Sequence, residues 1–79
     1  MLQFAVMQKQ RRYITRGQER FSLHYCVAQV NRAGIPLRIV SAIYTTHADA
    51  AAAMATHVEG LQAIGLQAEA VTLQEAKVI

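Results

Sequence analysis

Phe21-Ser22-Leu23-His24-Tyr25-Cys26-Val27 is the stretch on which the fold turns. Phe21, Leu23, Tyr25 and Val27 alternate with Ser22, His24 and Cys26, the period of two expected of a strand with one buried face. Turn chemistry closes it at both ends. Upstream, Arg16-Gly17-Gln18-Glu19 offers a glycine that takes a positive φ without strain. Downstream, Asn31-Arg32-Ala33-Gly34 supplies two residue types that tolerate the left-handed region. A strand between two hairpin turns implies antiparallel neighbours on both sides. On the N-terminal side, Leu2, Phe4 and Val6 alternate with Gln3 and Ala5. The pattern blurs over Gln8–Arg12 and returns at Tyr13-Ile14-Thr15, so it predicts one long strand with a bulge, or a strand, a basic loop and a second short strand. On the C-terminal side, Ile35, Leu37, Ile39, Ser41 and Ile43 predict one face of a long third strand, with Pro36 near its start and so at a strand end or edge.

Beyond Tyr44 the period changes from two to about 3.6. Thr46 is placed as an N-cap with Asp49 three residues on. Ala50, Met54, Val58, Leu61 and Ile64 form an apolar stripe, and Gly65 is the natural left-handed stop. A helix over 47–64 follows. Leu66–Thr72 then reads as a final strand with Ala68 and Ala70 turned inward, and Thr72-Leu73-Gln74-Glu75 has capping-box spacing for a short terminal helical turn. The expected fold is α+β: an antiparallel sheet of three to four strands with one helix packed across it, in the order β-β-β-α-β. It forms a single domain over residues 1–79. The sequence leaves open which edge the last strand joins.

Composition narrows the function. Cys26 is the only cysteine, so no disulfide forms within the chain, and no CxxC or HxxxH spacing suggests a metal site. His24 and Cys26 share a strand face, but two further ligands are missing. Nothing orients His24 to activate Cys26 as a nucleophile. The glycines make no phosphate-binding loop and the carboxylates are widely spread. No catalytic, cofactor or metal role is expected. No signal segment or membrane-length apolar run is apparent, which predicts a cytoplasmic protein without membrane partners. An apolar content of 53% in 79 residues suggests that a partner covers some surface, most simply a second copy.

Charge carries the main functional signal. Residues 1–38 contain seven of the eight basic side chains and one acid, Glu19, whereas residues 39–79 contain Lys77 against Asp49, Glu59, Glu69 and Glu75. The first half is therefore at +6 and the second at −3. Lys9, Arg11, Arg12, Tyr13, Arg16 and Arg20 concentrate the positive charge, and Arg32 and Arg38 extend it. Arginine forks suit phosphates and carboxylates, and Tyr13 and Phe21 interleave them as a stacking platform would. The expected partner is an acidic protein surface, a nucleoprotein complex, or nucleic acid itself.

In size, plan and charge the chain resembles small phage or mobile-element accessory proteins, among them anti-CRISPR inhibitors. The likeness rests on overall organisation over the whole chain and on no diagnostic motif. It implies a stoichiometric inhibitor that docks on a CRISPR surveillance complex and blocks target-DNA binding. The positive charge departs from the acidic surface of inhibitors that mimic DNA. The alternative is a small basic nucleic-acid-binding domain with little sequence specificity.

Overall fold

The computed structural model describes residues 1–72, which form an α+β domain 52 Å long and 23 by 18 Å across. Strand β1 spans Leu2–Thr15, β2 Gln18–Val30 and β3 Pro36–Ile39; helix α1 spans His47–Ala63 and β4 Ala68–Ala70. The sheet order is β3-β2-β1-β4. The first three strands are antiparallel, as expected, but β4 runs parallel to β1, pairing Leu2 with Ala68 and Phe4 with Ala70. Parallel pairing requires a crossover. Helix α1 supplies it, carrying the chain from the β3 edge across β2 and β1 to the opposite edge.

The blurred stretch 8–12 is neither bulge nor loop. β1 is one unbroken strand of 14 residues, paired residue by residue with β2 from Gln3↔Val30 to Thr15↔Gln18. The register is set by the two-residue turn Arg16-Gly17, whose φ values of 52° and 74° are both positive, as a primed hairpin turn requires. Gly17 adopts this freely, whereas Arg16 bears a strain on the order of 1–2 kcal/mol. The alternation fails in β1 because the distal ribbon has no core to face.

The third strand is shorter than its alternation predicts. A register shift between Gln29 and Val30 interrupts its pairing, and the regular ladder ends at Ile39, with one further bond from the Val40 amide to the Val27 carbonyl at 2.9 Å. The amide of Val27 instead donates to Ser41 Oγ at 2.8 Å, and pairing resumes only at the isolated bridge between Tyr25 and Tyr44. A side-chain hydroxyl thus replaces a ladder carbonyl opposite Val27. Ile35, Leu37, Ile39 and Ile43 are all more than half exposed, so the face they line is open.

Helix α1 matches its expected ends. Thr46 Oγ1 accepts from the Asp49 amide at 3.2 Å. At the other end the Gly65 amide donates to the Gln62 carbonyl and the Leu66 amide to that of Leu61, both at 3.0 Å, with Gly65 at φ 88°. This is a Schellman closure. The stripe holds at Ala50 and Val58, which are buried, and at the half-buried Met54 and Leu61. Ile64, expected in the stripe, is the cap residue and is exposed, because the helix has ended there.

The core lies on both faces of the sheet's inner half. Phe4 and Val27 meet Val58 and Ala68 on the helix side, and the Phe4 ring meets His57 edge-on at 4.8 Å. Ala5, Met7, Cys26, Ala28 and Val30 form a second cluster on the opposite face, with Val71 against it. Strands buried on both faces read as apolar runs. This explains why Ala5, expected on the face opposite Leu2, Phe4 and Val6, is buried, as is Met7. β4 is shorter than Leu66–Thr72, and of its two alanines only Ala68 is buried. The terminal helical turn expected from residue 73 onward lies outside the described residues.

Candidate ligand-binding ribbon

Outward from Gln8 and Tyr25 the hairpin leaves the body. The Tyr25–Tyr44 bridge is the last pairing of β2 with the third segment, and residues 9–21 are all exposed. From Lys9 to Thr15 a two-stranded ribbon therefore projects by about 20 Å, at roughly 3.4 Å per residue. An isolated two-stranded ribbon is marginal in water, so this one depends on the buried half of the same strands.

Register assigns each side chain to a face, since paired residues share a side and successive ones alternate. Lys9 pairs with His24, Arg11 with Ser22, and Tyr13 with Arg20. All six stand on one face, which bears three positive charges and no acid, with Arg16 at the tip. Gln10 pairs with Leu23, Arg12 with Phe21 and Ile14 with Glu19 on the other face. There Arg12 Nη1 meets Glu19 Oε1 at 2.9 Å, cancelling the charge. Both side chains are more than half exposed, and such a pair adds at most about 1 kcal/mol. Around it Ile14 is 75% exposed, Phe21 56% and Leu23 44%, so this face is apolar and open.

The expected basic group is thus only partly brought together. Lys9, Arg11, Tyr13 and Arg20 share a face and Arg16 stands beside them. Arg12 points to the opposite side. Arg32 lies in the β2–β3 turn, on the order of 40 Å from Arg16 along the 13 residues of β2. Arg38, on β3, donates from Nε to Gln29 Oε1 at 3.1 Å at that same far end. Ser22 and His24 were not among the expected site residues, yet they complete the basic face, with Ser22 Oγ 3.0 Å from His24 Nε2. Counting outward from the two-residue turn would have found them, because that turn sets every pairing in the ribbon.

Among the described residues, two hollows adjoin the ribbon's root. One of about 40 Å³, between Lys9, His24, Cys26, Ile39 and Ile43, has room for a few waters. The other, of about 140 Å³, lies between Gln8, Tyr25, His47 and Met54. Both are below the roughly 300–1,000 Å³ of a usual small-molecule pocket. His47 stacks edge-on against Tyr25 at 5.8 Å. No group of three or more His, Cys, Asp or Glu side chains is placed to hold a metal among the described residues. Nor is any helix among them long and apolar enough to cross a membrane.

Burial pushes the Cys26 thiol up from its ordinary value of 9.0, and the nearby Lys9 ammonium partly offsets this. The folded state therefore holds the thiol proton more tightly than the unfolded chain does. The resulting stabilisation is complete below pH 9.0 and is lost as pH rises through the elevated folded value. Cys26→Ala is expected to flatten the fall in urea-unfolding stability above that pH, and an equally steep fall in the variant would assign it to other groups.

No family model matches this chain, and neither a curated protein nor a solved structure matches it significantly.

Proposed function

We propose that this chain is a non-catalytic nucleic-acid-binding protein that works through the β1–β2 ribbon. One observation supports the reading above all: Lys9, Arg11 and Arg20 stand on a single acid-free face of a projecting arm, with Arg16 at its tip. Edge protection of a strand needs an occasional lysine, not a one-sided array. On a duplex of arbitrary sequence, four cations meeting four phosphates release their counterions. The affinity for a duplex should then fall with salt at a logarithmic slope of about −3.6, or about 150-fold between 50 and 200 mM. Fluorescence anisotropy on a labelled duplex measures this. No binding near 50 mM salt would remove the reading.

A second reading is favoured by Ile14, Phe21 and Leu23, which a phosphate backbone does not need and a protein surface would cover. In it the chain is an inhibitor of the anti-CRISPR kind, docking on the acidic or nucleoprotein surface of a surveillance complex and blocking target-DNA binding. Binding to the assembled complex but not to naked duplex would select it. The homodimer suggested by composition belongs to this proposal too, supported by the exposed Ile35, Leu37 and Ile39 along the β3 edge. Light scattering at two concentrations decides it, a mass staying at 8.7 kDa counting against.

A further inference from the structure

Resting on the nucleic-acid reading, we infer that the ribbon's ligand is duplex DNA read from the major groove, with Arg11 and Arg20 on base edges and Lys9 and Arg16 on flanking phosphates. Width selects the groove. Two paired strands lie about 4.8 Å apart and with their backbones form a ribbon near 10 Å across. The major groove of B-form DNA, about 12 Å wide, admits such a ribbon, and the minor groove, about 6 Å wide, does not. Duplex RNA closes the same route, because its major groove is too narrow for side chains to read.

Chemistry selects the face. Lys9, Arg11, Tyr13, Arg20, Ser22 and His24 each bring a hydrogen-bond donor and none is a carboxylate. Guanine presents two acceptors, N7 and O6, to the major groove, and an arginine fork takes both. Arg11 faces Ser22 and Arg20 faces Tyr13, so the two arginines are diagonal neighbours about 7–8 Å apart. Two base-pair steps of about 3.4 Å span nearly that distance. Lys9 at the root and Arg16 at the tip lie beyond this central pair along the ribbon, where the strands of the duplex flank the groove. Arg20 Nη2 also donates to Gln18 Oε1 at 3.3 Å, which holds its guanidinium alongside the ribbon's own face. The apolar face turns outward, away from the bases.

Selection from a pool of random-sequence duplexes tests the inference. The expected product is an enriched pair of guanines two positions apart. Arg11→Lys and Arg20→Lys keep the charge and lose the fork. Each should cut the preference at one guanine roughly 5- to 150-fold, read as the ratio of affinities for the selected duplex and for one lacking that guanine. Circular dichroism of the variants, whose changed side chains are exposed, checks the fold. Duplex binding with no enriched base, or lysine variants as selective as the parent, overturns the inference and leaves the nucleic-acid reading standing. So does tighter binding to duplex RNA or to single strands. Absence of binding to every nucleic acid overturns both.

Discussion

Reversal of Lys9, Arg11, Arg16 and Arg20 to glutamate in one variant is expected to abolish duplex binding and leave the fold intact. Each cation that meets a phosphate contributes through counterion release, and four together are worth on the order of 10⁴-fold in affinity near 50 mM salt. Opposite charges at the same positions add repulsion to that loss. Stability should move little, because all four side chains are exposed and residues 9–21 lie outside both core clusters. Exposed substitutions of this kind usually shift stability by within about 0.5 kcal/mol each. Arg12→Gln is the matching control. It removes a positive charge from the same hairpin but from the opposite face, where Glu19 already neutralises it. Anisotropy titrations of the three proteins in one buffer give the comparison. Unchanged binding by the quadruple variant would make the basic face ordinary solvated surface. An Arg12→Gln loss as large as that of a single basic-face change would show that the ligand surrounds the arm.

Phe4→Ala is expected to remove most of the domain's stability. Phe4 is 1% exposed, packs with Val27 and Val58 beneath the helix, and holds the His57 ring edge-on. Truncation of a buried phenylalanine costs about 3–5 kcal/mol. A domain of 79 residues has a total of roughly 4–12 kcal/mol to lose. The corresponding fall in Tm is on the order of 20 °C. Phe21→Ala, the same chemical change on the exposed ribbon, should cost under about 1 kcal/mol. Thermal unfolding of the pair measures how sharply body and arm divide. Similar losses at Phe4 and Phe21 would contradict a projecting ribbon.

Legibility differed between elements for physical reasons. The helix was readable to its ends because Thr46, Asp49 and Gly65 act on backbone groups within a few residues of themselves. The strand at Phe21–Val27 was readable by its alternation, although only its inner half is buried. The third strand was over-read, since the alternation of Ile35, Leu37, Ile39 and Ile43 runs on past Ile39, whereas the Ser41 hydroxyl takes the Val27 amide from the ladder. Among the candidate site residues, Lys9, Arg11, Tyr13, Arg16 and Arg20 were brought together. Arg12 was not, because successive residues of a strand face opposite ways. Arg32 and Arg38 were set at the far end by the length of β2.

By itself the sequence determined the kinds of element, their order and the two helix caps, all of which follow from interactions spanning a few residues. It also determined that positive charge belongs to the first half of the chain. Tertiary structure alone decided that β4 runs parallel to β1 at the far edge. That choice rests on contacts across more than sixty residues, such as Gln3 Nε2 with Glu69 Oε1 at 2.8 Å. Pairing register likewise turned a run of basic residues into one cationic face and one apolar face, because which side chains are neighbours depends on the partner strand as much as on their own.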